Sequence, residues 1–144
     1  MTSLIPGIAS TSAALDAERT RLEIIAQNIA NANTTHGPDG KPYQRQQVVF
    51  ESALQQAQMN AGPANPALVG PRVSRVEKDS RPFRLVYEPG HPDADASGMV
   101  AMPNVNLYEE MADMIVASRS YEANLAVVKN GRSMALQALS IGKH

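Results

Sequence analysis

The sequence has no cysteine and no tryptophan, and only 4 tyrosines and 2 phenylalanines among its 144 residues. Without cysteine, a disulfide framework, a thiolate metal site and a cysteine nucleophile are all excluded. The 13 Lys and Arg residues nearly balance the 14 Asp and Glu residues. Nucleic acid and anionic lipid are bound by basic stripes, which this balance does not provide, so we expect no nucleic-acid partner.

Long apolar runs are missing as well. The uncharged stretch 1–15 is interrupted by Ser3, Pro6 and Ser10 and contains neither a basic n-region nor a continuous apolar h-region, unlike a signal peptide. No stretch approaches the roughly 18 apolar residues of a spanning helix. We therefore expect no membrane-spanning segment. If the protein is exported, we expect export without a cleaved signal peptide.

The supply of large apolar side chains is also small. Hydrophobic residues make up 43% of the chain, but about a third of them are alanine, which buries little surface. Leu, Ile, Val and Phe together reach only about a fifth of the chain, near the level at which independent folding becomes doubtful. This composition favours an elongated or partner-dependent protein over a dense globule.

The N-terminal segment 1–33 carries one apolar stripe. Ile8, Leu15, Leu22 and Ile29 recur every seven residues, and Ile25 flanks them. A seven-residue apolar repeat is typical of a helix that pairs with another helix. The pattern predicts a helix over about residues 5–33.

The C-terminal segment 104–144 predicts a second, longer helix over about residues 106–140. Asn106 is a good N-cap, and Glu109 three residues later completes a capping box. Apolar residues then follow in 4-3 spacing, which predicts a seam that pairs with the first helix or with neighbouring subunits. Its main members are Leu107, Met111, Met114, Tyr121, Leu125, Val128 and Leu139.

Four apolar residues of the second helix fall off this seam. A helix with two apolar faces has more than one partner, so these residues predict a neighbour-facing strip. They are Val116, Val127, Met134 and Ile141.

The middle segment 34–103 holds nine of the ten prolines and six of the nine glycines. Strands are predicted at 43–51 and 83–87, with a weaker candidate at 73–77. Residues 55–71 have little to bury and predict a mobile loop. The expected fold is mainly α: an elongated antiparallel coiled-coil hairpin of the N- and C-terminal helices, with a small β-hairpin or extended lobe between them.

Residues that carry chemistry are few. The histidines His36, His91 and His144 lack the spacing of metal ligands on a helix. Residues 93–98 resemble half of an EF-hand loop, but Asn104 stands where a bidentate carboxylate is needed, so a turn with Asx hydrogen bonds is favoured. We predict no enzymatic activity, no metal and no cofactor.

Motifs near both ends resemble the flagellar axial family, whose members build the rod, the hook and the hook–filament junction. The segment IAQNIANANT (25–34) is similar to its N-terminal motif, and NVNLYEEM (104–111) with SRSYEAN (118–124) to its C-terminal motif. The middle segments GPDGKPY (37–43) and LVYEPGHP (85–92) resemble the proximal rod members. The asparagines that this resemblance singles out are Asn28, Asn31, Asn33, Asn104 and Asn124.

The resemblance implies a structural subunit of the proximal rod of the basal body. Such a subunit would polymerise helically, with copies of itself and other rod proteins, into the periplasmic drive shaft around the export channel. The resemblance also implies contacts with the base of the export gate and the MS ring.

Two other classes stay open from the residues alone. A cytosolic helical adaptor or export chaperone could present the same heptad faces to one partner. A calcium-binding module would use residues 93–98.

Overall fold

The computed structural model describes residues 4–52 and 70–141. The chain forms helix α1 (Leu4–Ala30), strands β1 (Gln46–Ser52) and β2 (Pro71–Lys78), strands β3 (Arg84–Tyr87) and β4 (Met99–Met102), and helix α2 (Leu107–Ile141). The predicted helices and three predicted strands are present, with shifted ends. Most of the loop predicted at 55–71 lies outside the described residues. Neither described helix has the length and hydropathy that a membrane span requires.

The two helices pack against each other and run antiparallel. Asn28, near the end of α1, bonds Glu110, near the start of α2, whereas Ile8 lies beside Gly131. Since α2 has 35 residues, it is about 52 Å long at 1.5 Å per residue. The result is a long two-helix hairpin.

The side of α2 that faces α1 differs from the predicted seam by about one residue. Glu110 and Ala117 are both 0% exposed, and Gly131 lies against Ile8. They alternate with half-buried Met114, Tyr121 and Val128. The line through these residues comprises Glu110, Met114, Ala117, Tyr121, Asn124, Val128 and Gly131, and Ser118 and Leu125 of the predicted seam are half-buried beside it.

Four of the seven predicted seam residues of α2 are half-buried: Met114, Tyr121, Leu125 and Val128. Leu107, Met111 and Leu139 are more exposed, and their pairing role stays a prediction. The bonds from Asn28 and Arg45 to Glu110 hold that side of α2 toward α1, since a buried polar network fixes the arrangement of its members. Hydrophobic periodicity alone does not reveal that Glu110 faces α1.

The segment between the helices forms two separate two-stranded antiparallel sheets. In the first, Val48 faces Val76 and Phe50 faces Val73, with an irregularity in the register between Val49 and Phe50. In the second, the β3–β4 sheet, Val86 faces Val100. Strand β4 (Met-Val-Ala-Met) was not predicted, because it lacks both an aromatic residue and the alternation of polar and apolar residues that marks β3.

The β1–β2 sheet packs on α1. Buried Gly70, just before β2, comes so close to α1 that a Cβ there would lie 3.1 Å from the Ser10 carbonyl oxygen and 3.3 Å from the Ala13 Cβ. Only glycine permits this approach without a shift of the chain. Helix α1 is therefore held between α2 and the β1–β2 sheet.

The predicted N-cap of α2 is present, but Asn106 and Glu109 do not form the reciprocal backbone bonds of the predicted capping box. The Asn106 side-chain oxygen accepts from the Tyr108 backbone N–H at 3.1 Å, which satisfies one free donor of the first turn. The Asn106 side-chain amide in turn donates to Glu109 at 3.3 Å.

Candidate functional site

A buried polar cluster joins the two helices to the strands. We call it the polar joint. It comprises Asn28 of α1, Tyr43 and Arg45 before β1, Asp79 after β2, Asn104 before α2, and Glu110 of α2.

Asn28 is 1% exposed and uses its whole hydrogen-bonding capacity. Its amide nitrogen donates to the Gln46 carbonyl oxygen at 2.8 Å and to Glu110 at 3.0 Å. Its oxygen accepts from the Tyr43 hydroxyl and from the Gln46 backbone N–H, both at 2.9 Å. An asparagine side chain offers two donors and a twofold acceptor, so every position is filled.

Glu110 has a cation as its second partner. The Arg45 Nε donates to one carboxylate oxygen at 2.5 Å, while Asn28 holds the other. A carboxylate removed from water is stable only when it is paired and hydrogen-bonded. The same arginine lies 3.3 Å from Asp79 and 3.7 Å from Asp113. Arg45 therefore links β1, the end of β2 and α2.

Asn104 ties the segment before α2 to both strand ends. Its oxygen accepts from the Arg45 backbone N–H at 2.7 Å. Its amide donates to the carbonyl oxygens of Asp79 and Arg81 at 3.2 and 2.9 Å. One side chain thereby satisfies three backbone groups that no strand pairs.

The charges of the joint shift three pKa values. Burial alone raises the pKa of Asp79, but hydrogen bonds from Arg81 and Arg45 outweigh it, so that pKa lies below its usual value. Hydrogen bonds to Asp79 and Glu109 raise the pKa of Arg81. Burial, helped by the nearby Glu110 charge, raises the pKa of the Tyr43 hydroxyl. The Asp79 carboxylate is thus held ionised and the Tyr43 phenol protonated at neutral pH.

The joint is arranged to hold the chain together. A cleft of about 360 Å³ opens beside it between α1, β1 and α2. Its charged side chains Arg21, Arg45 and Asp113 pair with one another or with Glu110.

The turn at residues 93–98 contains the Asx hydrogen bonds expected of it. Asp95 accepts from the backbone N–H of Ser97 at 2.8 Å and of Met99 at 2.9 Å. Gly98 follows with a φ of 78°. Within residues 4–52 and 70–141, no group of three His, Asp or Glu side chains is placed to hold a metal ion.

The predicted helix-pairing residues divide into two groups. Ile25 is buried, and the others on α1 are half-buried, as are four on α2. Leu107, Met111 and Leu139 are exposed, as are all four residues of the neighbour-facing strip. The half-buried residues are Ile8, Leu15, Leu22, Ile29, Met114, Tyr121, Leu125 and Val128.

The five motif asparagines take different places. Asn28 and Asn104 belong to the polar joint. Asn31 donates to the Gln27 carbonyl oxygen at 2.9 Å and accepts from Thr34, which closes the end of α1. Asn124 is half-buried on the α1 side of α2, and Asn33 is exposed.

Sequence reasoning missed Arg45, Asp79 and Glu110 as partners. The only available signal was Glu110 itself, a charge at a position between two apolar seam residues. Its partners come from segments far away in the chain, and spacing does not reveal them.

Comparisons with known proteins agree with this architecture. Residues 10–38 match the family model "Flagella basal body rod protein", and residues 96–141 match "Flagellar basal body rod FlgEFG protein C-terminal". These matches contain both helical residues of the polar joint, Asn28 and Glu110, and both helix ends that meet there.

Full-length relatives extend the match. The chain is 43% identical to the flagellar basal-body rod protein FlgC of Borreliella burgdorferi, covering 96% of this chain and 97% of the relative. It is 46% identical to FlgC of Escherichia coli O6:H1 (90% and 91%) and 37% identical to FlgC of Bacillus subtilis (92% and 94%). The adaptor alternative has no support from these relatives. The chain therefore belongs to the FlgC family of flagellar basal-body rod proteins, which is a family of structural proteins.

Proposed function

We propose that this chain is a subunit of the proximal rod, and that its helix hairpin, wound as a coiled coil, forms the inner layer around the export channel. The observation that carries this proposal is the exposed neighbour-facing strip, Val116, Val127, Met134 and Ile141. Each such side chain gains roughly 1.5–3 kcal/mol when it is fully buried. A subunit that leaves them exposed is suited to burying them against other subunits.

Heterologous contacts that do not close generate a helix of subunits. The exposed strip on one helix and the exposed Leu107, Met111 and Leu139 supply contacts of this kind. Other rod proteins and copies of this chain are the proposed partners, with the base of the export gate and the MS ring next to the first subunits.

The polar joint supports a mechanical role for the lobe of strands. Helices and strands connected only by flexible loops would turn independently under load. Here the Arg45 side chain bonds Glu110 of α2, and the Asn104 side chain bonds the backbone of Arg45 and of Arg81 next to the strands. A fully satisfied buried network of this kind rigidifies its surroundings. We infer that the lobe braces adjacent subunits and transmits torque to the helices.

The place of action that we propose is the periplasmic rod, reached by flagellar export without cleavage of a signal peptide.

Electron cryotomography of motors in a deletion strain, beside its complemented parent, tests the function. Motors that keep the membrane ring and export gate but lack the rod are expected. Intact rods and hooks in the deletion strain would refute the proposal. Mass spectrometry of the mature N-terminus in purified basal bodies tests the export route, since an uncleaved start is expected.

A further inference from the structure

The neighbour-facing strip belongs to a longer row on α2 in which no residue is charged. Its members follow one another in alternating steps of four and three residues. They are Val116, Ser120, Ala123, Val127, Asn130, Met134, Gln137 and Ile141. The four large apolar members are between 54% and 77% exposed. We call this row the second seam.

The second seam is long and narrow. From Val116 to Ile141 it measures about 38 Å at 1.5 Å per residue. A row with alternating steps of four and three is covered by another helix that runs almost along it. Helix α1 does not cover it, because α1 meets the line through Ala117 and Gly131, about 100° away around the helix. The fitting partner is therefore a helix of another molecule.

Among the surfaces in residues 4–52 and 70–141, the second seam is the one uncharged helical row of this length. The exposed side of α1 carries Asp16, Arg19 and Glu23. The other flank of α2 carries the exposed Glu122 and Lys129. Charged groups covered by an apolar row would lose water without gaining a partner. A second copy of the second seam is therefore the occupant that the chain itself supplies.

Two copies of the second seam are complementary when they run antiparallel about the midpoint between positions 127 and 130. The facing pairs are then Val116 with Ile141, Ser120 with Gln137, Ala123 with Met134, and Val127 with Asn130. The outermost pair joins two apolar side chains, and the next pair joins two polar ones. The third pair sets a small side chain against a large one, which is how facing layers fill space evenly.

The central pair sets Asn130 of each copy beside Val127 of the other. The two asparagines are then three residues apart along the axis, about 4.5 Å, so their amides can bond each other across the twofold axis. A polar group removed from water is tolerated when it is hydrogen-bonded. A lone asparagine in an apolar row also fixes the alignment of two helices.

The antiparallel direction also suits the lobe of strands. Arg45 reaches α2 at Glu110 and Asp113, which lie before the second seam begins. Parallel pairing would bring both polar joints and both lobes to the same end of the pair. It would also set Ala123 against Ala123 and Met134 against Met134, which leaves one layer underfilled and crowds another.

We propose that two copies of this chain, before assembly, pair through the second seam as an antiparallel coiled coil. The contact is isologous, so it closes at two copies. It buries the neighbour-facing strip, and a subunit in this pair cannot offer the strip to a rod. The pairing does not depend on the proposed function, whereas its effect of masking the strip does.

Sedimentation equilibrium of the purified chain tests the pairing. A concentration-dependent dimer is expected. Val127→Asp places two carboxylates at the centre of the contact and is expected to raise the dissociation constant at least tenfold. Ala126→Asp, one residue earlier and off the second seam, is the control and is expected to change it less than twofold. A chain that remains monomeric at about 100 µM overturns the inference.

Cysteine pairing tests the direction, because the chain has no cysteine of its own. Chains with Ala123→Cys and chains with Met134→Cys are mixed and oxidised, and the disulfides are mapped by mass spectrometry. Antiparallel pairing predicts a disulfide between the two variants and at least fivefold less from either variant alone, since a disulfide needs facing Cβ atoms. Ala126→Cys with Ser133→Cys, both exposed and off the second seam, is the control pair and should give little.

Two outcomes of the cysteine experiment overturn the inference. A disulfide that forms equally well within each variant alone would show parallel pairing, and no disulfide in the mixture would show that the second seam is not the contact. Neither outcome affects the expected loss of the rod in the deletion strain. Failure of the pairing is therefore distinguishable from failure of the proposed function.

Discussion

The Asn28 amide nitrogen donates to the Glu110 carboxylate over 3.0 Å, across 82 positions of sequence. The contact lies where α1 ends and α2 begins, and both side chains are almost wholly buried. It sets which side of α2 faces α1. Because Arg45 holds the other carboxylate oxygen, the same contact also fixes the lobe of strands to the helices.

We expect Asn28→Asp to destabilise the fold strongly. The new carboxylate would lie against Glu110 and would lose the two hydrogen bonds that the amide donates. Disrupting a buried charged network costs about 3–5 kcal/mol. Urea unfolding of the purified chain measures the change. Asn33→Asp, the same substitution at an exposed site, is the control and is expected to stay within about 0.5 kcal/mol. Equal effects at the two sites would contradict the central place of Asn28.

Asp79 makes the free energy of unfolding depend on pH in the acidic range. Its folded-state pKa is lowered, so its ionised form favours the folded chain. Its contribution is therefore complete above the ordinary carboxyl pKa of about 3.9 and is lost as the pH falls through the folded-state pKa. Asp79→Asn is expected to flatten the decline of unfolding free energy below about pH 5. Urea midpoints measured across that range give the slope, and Asp39→Asn, at an exposed turn, should leave it unchanged.

A pair of glycines tests the β3–β4 turn. Gly98 has a φ of 78°, and a Cβ there would lie 2.9 Å from the Tyr87 ring and 3.1 Å from Pro89. Gly98→Ala therefore combines backbone strain with a clash and is expected to cost about 1–3 kcal/mol. Gly90→Ala has open space around its Cβ and should change stability far less. Thermal unfolding of the two variants compares them, and a larger loss for Gly90→Ala would refute the assigned geometry.

The sequence predicts where the helices and strands lie better than it predicts which side of each helix packs against the rest of the chain. Both helices, the Asn106 cap and the strands at β1 and β3 follow from periodicity and turn chemistry, which are local. The register of α2 does not, because Asn28, Arg45 and Glu110 come from three distant segments. A polar group in the seam looks like an error in a heptad pattern until its partners are known.

The roles of the residues in the polar joint were likewise not predictable from the sequence alone. The asparagines Asn28 and Asn104 were singled out by resemblance, but their roles required the backbone groups of Gln46, Asp79 and Arg81 that they satisfy. Exposed apolar residues such as Val127 and Ile141 were predicted, since a surplus of apolar positions on one helix is visible in the sequence.

The displaced seam makes a direct prediction at Ala117, which is 0% exposed. Ala117→Leu adds three carbons where α2 meets α1, and overpacking of this kind costs about 1–3 kcal/mol. Ala126→Leu, on an exposed position of the same helix, is the matched control. Urea unfolding distinguishes them. A neutral Ala117→Leu would favour the seam through Ser118 that hydrophobic spacing predicted.

The neighbour-facing strip is tested by a substitution that leaves the subunit folded. Val127 is 57% exposed, so Val127→Asp is expected to change the free energy of unfolding by less than about 0.5 kcal/mol. If a neighbouring subunit buries this side chain, a carboxylate there must be desolvated without a partner, and assembly should fail. Immunoblots of purified basal bodies measure incorporation, with total cell protein as the reference for synthesis. Ala126→Asp places the same charge one residue earlier, off the strip, and should incorporate normally. Normal incorporation and swimming in the Val127→Asp strain would show that this strip is not a subunit contact.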